Sequence, residues 1–320
     1  MKNQTQESKM NKREFLFLYD AKDCIPNGDP FTGEQRYDED TQTALVSDVR
    51  LKRYVRDFID DSYDDEKIFY SDKSGKKTTG MRAAEESTKK DDVTENLQEL
   101  KEKCIDVRLF GTVVAGNKSK SEEYNTQATG AVQFKMFNRT LNKVYLPTTQ
   151  NTTTMVSGEG NSQGSMATFS YLPYGLFSCV GYFNPTTATE NLLKENDLEK
   201  MKVALWNEIN MKNTRSKTGQ QSRLLIEIEY NDDYYKIPDI EYSITLNDEK
   251  KFKYRQFSDI QNDLDFKKLV DFLNQSKSLI HEVKVYIDTF SFEKDFLKVN
   301  DDLNKKVKYF AIKGKEIKDL

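Results

Sequence analysis

Histidine is almost absent from this chain of 320 residues, in which His281 is the only one. Metal sites are commonly built from several histidines, and a lone histidine excludes most of them. His281 lies in a pattern of alternating apolar and polar residues, which predicts a strand position. We therefore expect no histidine-based metal site, and no cofactor.

Cysteines and long apolar runs are also scarce. The three cysteines, Cys24, Cys104 and Cys179, are far apart, odd in number and form no CxxC pair. This spacing indicates neither a zinc knuckle nor a disulfide framework, and free thiols suit a reducing cytosol. No run of about 18 apolar residues exists, so we expect no membrane span and a cytoplasmic protein. Residues 1–13 are polar and are predicted to be a flexible N-terminus.

Charged residues, by contrast, are abundant and unevenly placed. They make up 32% of the chain and give a net charge of −4, which by itself does not indicate nucleic-acid binding. Residues 124–189 nevertheless contain a single acid, Glu159, of the 53 in the chain, and residues 212–223 contain none. Both stretches carry Lys or Arg. Exclusion of acids from separate stretches fits a groove for a polyanion.

Apolar periodicity predicts an α+β fold. Residues 14–20 indicate a buried strand, and Asn27-Gly28 indicates a turn. A helix is predicted from Ser47, with one apolar face. Further strands are predicted at 131–137, 174–183, 224–230 and 281–290, and further helices at 92–103, 197–211 and 263–273. We expect the helices to cover one face of an antiparallel sheet.

The start of the first predicted helix is strongly basic. Lys52 and Arg56 are spaced i, i+4 and share a face, with Arg50 and Arg53 on either side. The free N–H groups at a helix N-terminus favour anions, and Ser47 adds a hydroxyl there. Either an ordinary solvated basic face or a phosphodiester site is compatible with this helix alone.

Two further segments have open interpretations. Asp20, Asp23 and Asp29 could form a metal cluster for phosphodiester cleavage, or serve turn and surface chemistry, or position RNA. Residues 148–168 are rich in Thr, Ser and Gly and contain Met166. They could form a mobile surface loop, or a ribbon whose methionine wedges between bases.

Five motifs in order resemble the backbone subunit of type I CRISPR Cascade complexes, the seventh Cas family, closest to subtype I-B. They are Pro-Asn-Gly-Asp-Pro at 26–30, the basic helix start at 46–53, Asp-Val-Arg-Leu-Phe-Gly at 106–111, Thr-Gly-Ala-Val-Gln-Phe at 129–134 and Leu-Pro-Tyr-Gly-Leu at 172–176. The resemblance covers roughly residues 14–230. It implies one RRM-like (ferredoxin-like) palm domain over 14–320, with inserted fingers at about 60–128 and a thumb hairpin or loop at 144–172.

The resemblance also implies a function. Copies of the chain would bind CRISPR RNA head-to-tail without catalysis, alongside other Cascade subunits, and present the guide for pairing with target DNA. The implied and charge-based RNA contacts are Asn27, Ser47, Arg50, Lys52, Arg53, Arg56, Gln133, Arg139, Lys143, Met166, Arg215, Lys217 and Arg223. The main alternative is a metal-dependent endoribonuclease subunit of type III character that cuts target RNA with an early-loop aspartate. A third interpretation is a structural protein that binds no nucleic acid.

Overall fold

A computed structural model describes residues 10–71, 93–114, 126–153, 165–247 and 253–320. The strands are β1 Arg13–Cys24, β2 Tyr37–Asp38, β3 Thr43–Ser47, β4 Gly111–Val114, β5 Thr126–Thr129, β6 Val132–Phe134, β7 Phe137–Thr140, β8 Thr148–Thr153, β9 Ser165–Ser170, β10 Leu172–Phe183, β11 Gln220–Tyr230, β12 Thr245–Leu246, β13 Leu264–Asp265, β14 Ile280–Ile287, β15 Val307–Lys313 and β16 Glu316–Asp319. The helices are α1 Asp48–Ser62, α2 Val93–Lys103, α3 Ile105–Phe110, α4 Pro185–Glu190, α5 Glu195–Met211, α6 Phe257–Ile260, α7 Lys267–Gln275 and α8 Asp301–Asn304.

One large mixed sheet organises the molecule. Its order is β16-β15-β14-β11-β1-β10-β7-β3-β2, and β6 also pairs with β10. β1 is central and antiparallel to both β10 and β11, with Leu16 opposite Val180 on one side and Ile226 on the other. β14 and β15 are parallel. The fold class predicted from the sequence, α+β, is confirmed.

Both faces of this sheet are buried. Because side chains alternate along a strand, β1 sends Phe15, Phe17 and Tyr19 to one core and Leu16 and Leu18 to another. The first core packs against α1 and α5, and the second against α7 and other parts of residues 237–303. The expectation of helices on a single face of an antiparallel sheet was therefore wrong. The C-terminal third, where no motif was evident, covers the second face.

A buried ion network joins α5 to three strands. Glu227 on β11 accepts bonds from Arg13 Nη1 at 2.8 Å and from Lys202 Nζ at 2.6 Å. Lys202 also donates to the Tyr286 hydroxyl of β14 at 2.8 Å. The side chains of Lys202 and Glu227 are fully buried. Burial alone would raise the pKa of Glu227, but Lys202 and Arg13 lower that pKa to about 2. The carboxylate therefore stays charged inside the protein.

Two predicted elements differ from the structure. The strand expected at 131–137 is broken into β6 and β7, because the Asn138 side chain takes the place of backbone partners. Its Nδ2 donates to Lys135 O at 3.0 Å, and its Oδ1 accepts from Val180 N at 3.0 Å. The helix expected from 263 begins at Lys267, whose N–H donates to Asp265 Oδ1 at 2.8 Å.

Within the described part of the chain, no helix is both long and apolar enough to cross a membrane.

Candidate nucleic-acid interface

The start of α1 is fixed to the turn that follows β1. Asn27 Oδ1 accepts hydrogen bonds from both the backbone N–H and the hydroxyl of Ser47, at 2.7 and 2.8 Å. Asn27 N–H in turn donates to Gln35 Oε1 at 2.9 Å. Ser47 occupies the N-cap position, but its side chain does not cap the helix. The two residues predicted to contact RNA thus meet, and together they set the position of the helix N-terminus.

Arg50 and Lys217 form the part of the site without carboxylate partners. Arg50 stacks over the Tyr54 ring, with 4.1 Å from Cζ to the ring centroid, and its Nε and Nη2 are buried without a hydrogen-bond partner. Lys217 Nζ donates to the carbonyls of Ile25 and Pro26. Neither cation forms an ion pair with any residue that the structure describes.

The pKa of Lys217 reflects this environment. Desolvation by burial, together with the nearby positive charge of Arg50, lowers the pKa of Lys217 to about 8. Buried donors without partners are costly, and two cations at short range repel each other. An anion bound between Arg50 and Lys217 would remove both costs.

Two neighbours that sequence reasoning missed hold Arg50 and Lys217 in place. The Tyr54 hydroxyl donates to Gln220 Oε1 at 2.9 Å, and Gln220 Nε2 donates to Lys217 O at 2.9 Å. The i, i+4 spacing of Arg50 and Tyr54 on one helix face could have indicated the first contact. No sequence signal connects Gln220 to α1, because the contact spans 166 positions.

Lys52 and Gln133 link α1 to β6. Lys52 Nζ donates to Asp48 Oδ2 at 2.9 Å and to Gln133 Oε1 at 3.1 Å. Gln133 Nε2 donates to the carbonyl of Gly130 at 3.2 Å. A Cβ at Gly130 would lie 2.3 Å from the backbone carbon of Phe110, so only glycine fits there. The Thr-Gly motif therefore allows the close approach that brings Gln133 to Lys52.

Four of the other predicted arginines bind carboxylates. Arg56 Nε donates to Asp106 Oδ2 at 2.9 Å, and the Asp106 carboxylate is 1% exposed. Arg53 pairs with Asp57. Arg223 bonds Asp20 at 3.1 Å and Asp288 at 2.9 Å, and Arg139 bonds Asp38 at 2.7 Å. The pairs of Arg56, Arg139 and Arg223 join different elements of the fold, whereas the pair of Arg53 and Asp57 lies within α1.

The remaining predicted contacts lie around the same end of the sheet. Lys143 Nζ is 3.5 Å from Gln42 Oε1, and Arg215 is exposed in the segment before β11. Met166 lies on β9 opposite Thr152 of β8, and residues 154–164 lie outside the described part of the chain. β9 leads into β10, whose first residue pairs with the last residue of β1. The end of the β8–β9 pair at Thr148 and Ser170 therefore lies close in the chain to the strand end that precedes the Asn27 turn.

The three early aspartates do not converge. Asp20 is bound by Arg223, Asp23 is exposed with φ 51°, and Asp29 Oδ1 accepts from Phe31 N at 2.9 Å, as in an Asx turn. No group of three or more His, Cys, Asp or Glu residues suited to a metal occurs among the described residues. Asp23 and Asp29 fit the turn and surface interpretation, whereas Asp20 is a buried partner of Arg223 within β1.

Comparison with known proteins places the chain in a family. Residues 11–265 match the family model of "CRISPR-associated protein Cas7", and the chain belongs to that family. It is similar to the CRISPR-associated protein Cas7 of Haloferax volcanii, with 29% identity over 303 residues and 87% of each chain covered. Its fold is similar to a chain of a solved CRISPR RNA-guided surveillance complex, pre-nicking, with a TM-score of 0.56 and 13% identity. The match covers 95% of this chain and 97% of that one.

Proposed function

We propose that this chain is a non-catalytic, CRISPR-RNA-binding backbone subunit of a type I surveillance complex, of I-B character. Copies would assemble head-to-tail along the guide in the cytoplasm, with other Cascade subunits, and present the guide for pairing with target DNA. Membership of the Cas7 family supports this proposal. The observation that carries it is the pair Arg50 and Lys217 beside the α1 N-terminus: neither forms an ion pair with a described residue, and Nε and Nη2 of Arg50 are buried without partners.

The proposed RNA path uses the predicted residues in two roles. Arg50 and Lys217 would contact phosphates directly, because no carboxylate neutralises them. Asn27, Ser47, Lys52 and Gln133 would set the geometry of α1 and accept or donate secondary bonds. Arg53, Arg56, Arg139 and Arg223 would act mainly by holding the surrounding elements, and Lys143, Arg215 and Met166 would extend the path toward the hairpin. Contacts of the phosphate class position RNA without reading its sequence.

The architecture suggests how these parts would be arranged. We assign an RRM-like palm to the large sheet with α1 and α5, fingers to about 60–128 and a thumb to 144–172, within one domain over 14–320. The β8–β9 strand pair supports the thumb assignment, since β9 leads into β10 where Leu172 pairs with Cys24, one residue before Ile25, whose carbonyl Lys217 binds. Fingers and thumb would then flank the same groove.

Paired substitutions test the direct contacts. Arg50→Ala with Lys217→Ala should weaken binding of a short single-stranded RNA about tenfold or more, because hydrogen bonds to charged groups contribute about 1.5–3 kcal/mol each. The slope of log affinity against log salt should fall by about 0.7 for each lost phosphate contact. Lys305→Ala with Lys313→Ala removes the same charge from two exposed lysines of the C-terminal segment and is the matched control. An unchanged affinity and slope in the first variant would refute the proposed phosphate site.

Absence of catalysis needs a separate experiment. Incubation of the assembled complex with matched target RNA and Mg²⁺ should leave that RNA intact, because Asp20, Asp23 and Asp29 are apart and Asp20 is bound by Arg223. Regularly spaced products would instead support the type III-like nuclease.

A further inference from the structure

The amine of Lys217 is bonded differently from those of Lys52 and Lys212, which both bind carboxylates. Lys217 Nζ donates to the backbone carbonyls of Ile25 and Pro26 and, within the described part of the chain, to no third acceptor. An ammonium group has three N–H donors, whereas a neutral amine has two N–H donors and a lone pair. Two carbonyls therefore match the neutral amine and leave its lone pair free.

The backbone around Lys217 is fixed against the residues that its amine bonds. Ile25 N–H donates to Ser216 O at 2.8 Å, on the residue before Lys217. Lys22 N–H donates to Gly219 O at 2.8 Å, two residues after it. The amine therefore reaches its two carbonyl acceptors without any movement of the backbone.

The charges around Lys217 also favour the neutral amine. The cations that face it are Arg50 and Lys212, and the nearby Cys24 thiol is buried and uncharged, because burial raises its pKa to about 12. Burial and the charge of Arg50 lower the pKa of Lys217 to about 8. An exposed lysine is less than about 1% neutral at pH 8. Because only the neutral amine is a nucleophile, desolvation and a neighbouring cation activate Lys217.

Arg50 indicates which electrophile fits beside this amine. Its Nε and Nη2 are buried without a hydrogen-bond partner, and it lies in the first turn of α1. Phosphate oxygens suit both the guanidinium group and a helix N-terminus. An acyl phosphate joins such a phosphate to a reactive carbonyl carbon, whereas a simple ester offers Arg50 no anion.

We propose that Lys217 is a modification site, at which an acyl phosphate held by Arg50 transfers its acyl group to the amine. The nitrogen lone pair attacks the carbonyl carbon and forms a C–N bond. The bond from that carbon to the phosphate oxygen breaks, and inorganic phosphate leaves with its electron pair. The nitrogen loses a proton to solvent, and the product is an uncharged amide.

The consequence of this modification rests on the proposed function. Acylation would remove one of the two cations proposed to contact RNA phosphates, so the modified chain would bind RNA more weakly. Bound RNA would in turn occupy Arg50 and shield the amine. Modification and RNA binding would therefore exclude each other.

Acetyl phosphate is the probe, used on the full chain at pH 8 and followed by peptide mass spectrometry. We expect Lys217 to be acetylated at least about tenfold faster than Lys305 and Lys313, which are exposed and form no ion pair among the described residues. Inorganic phosphate should compete at Lys217 and not at the two control lysines. A rate at Lys217 no greater than theirs would overturn the proposal.

Arg50→Ala tests the part played by the phosphate group. It should slow acetylation of Lys217 by acetyl phosphate about fivefold or more, and slow acetylation by p-nitrophenyl acetate, which has no phosphate, much less. An equal effect with both reagents, together with no competition by inorganic phosphate in wild type, would overturn the role of Arg50. Circular dichroism checks that the variant is folded.

A short RNA separates this proposal from the proposed function. RNA should protect Lys217 but not Lys305, and acetylated wild type should bind RNA about tenfold more weakly. The same treatment should leave the affinity of Lys217→Arg as it was before treatment, because a guanidinium group stays charged and unreactive. Selective acetylation of a chain that binds no RNA would contradict the proposed function alone. RNA binding without selective acetylation would contradict the modification alone.

Discussion

Arg50 and Arg56 lie six residues apart on the same helix, and the protein uses them in different ways. Arg56 bonds to Asp106, whose carboxylate is buried and also accepts from the backbone of Phe69 and Tyr70. Arg50 has no carboxylate, and two of its nitrogens are buried without partners. The positive charge of α1 is thus divided between Arg56, which the fold neutralises, and Arg50, which we propose binds an RNA phosphate.

This difference matters because the two kinds of site fail differently. An arginine that joins elements contributes to folding, and its loss would reduce RNA binding only through lost structure. If an arginine without a partner binds RNA as we propose, its loss should reduce binding and leave folding intact. Stability and affinity, measured on the same variants, should separate the two groups.

The largest expected effect is on stability, at the ion pair of Arg56 with Asp106. Asp106→Ala leaves the Arg56 charge and two backbone N–H groups without their acceptor, which should lower the free energy of unfolding by about 3–5 kcal/mol. Denaturant titration measures this change. Arg50→Ala is the control and should change stability by less than about 1 kcal/mol, since its Nε and Nη2 lose no partner. An equal decrease in the free energy of unfolding in both variants would show that Arg50 and Arg56 contribute to stability in the same way.

The next largest effect is the pH dependence of RNA binding, which we expect from Lys217. The pKa of Lys217 in the folded protein is about 8, below its ordinary value of 10.5. RNA affinity should therefore fall about tenfold at most from pH 7 to pH 9, as the lysine loses its charge. Stability should move the other way between pH 8 and 10.5, since the unfolded chain then binds more protons than the folded one.

Fluorescence anisotropy of labelled RNA measures the affinity across this pH range. Lys217→Arg keeps the charge at every pH and should abolish the fall in affinity. A fall that persists in this variant would assign the titration to another group.

The smallest effect is expected at Arg53. Its pair with Asp57 is partly exposed, and such pairs contribute about 0–1 kcal/mol. Arg53→Gln should change RNA affinity less than about threefold and stability by less than 1 kcal/mol. Filter binding and thermal unfolding check the two values. A tenfold loss of affinity without loss of stability would move Arg53 to the ligand-binding group.

Local sequence patterns predicted the helices, strands and turns better than they predicted the long-range contacts between them. The strand at the start, the apolar face of α1 with Leu51, Val55 and Phe58, and the turn at Asn27 all follow from short-range periodicity and turn chemistry, and the structure contains them. The pairing of Arg56 with Asp106 joins positions 50 apart, and no spacing rule links them. Nor does any local pattern show that β14 and β15 are parallel.

The candidate site was predictable to a similar degree. Helix position and charge indicated Arg50, and the absence of acids at 212–223 indicated Lys217. The carboxylates that neutralise some of these cations are distant in the sequence. The sequence therefore could not show which lysines and arginines would remain without an ion pair. The contact between Asn27 and Ser47 was likewise not evident from positions 20 apart.

The network around Glu227 has a consequence for how far the protein can be trimmed. The family match ends at residue 265, but Tyr286 of β14 bonds Lys202, and β14 covers the hydrogen-bonding edge of β11 along seven residue pairs. Truncation at 265 would leave β11 as a long apolar edge, a template for aggregation. The minimal autonomous folding unit therefore extends well beyond the family boundary, and expression of residues 11–265 alone should yield insoluble protein.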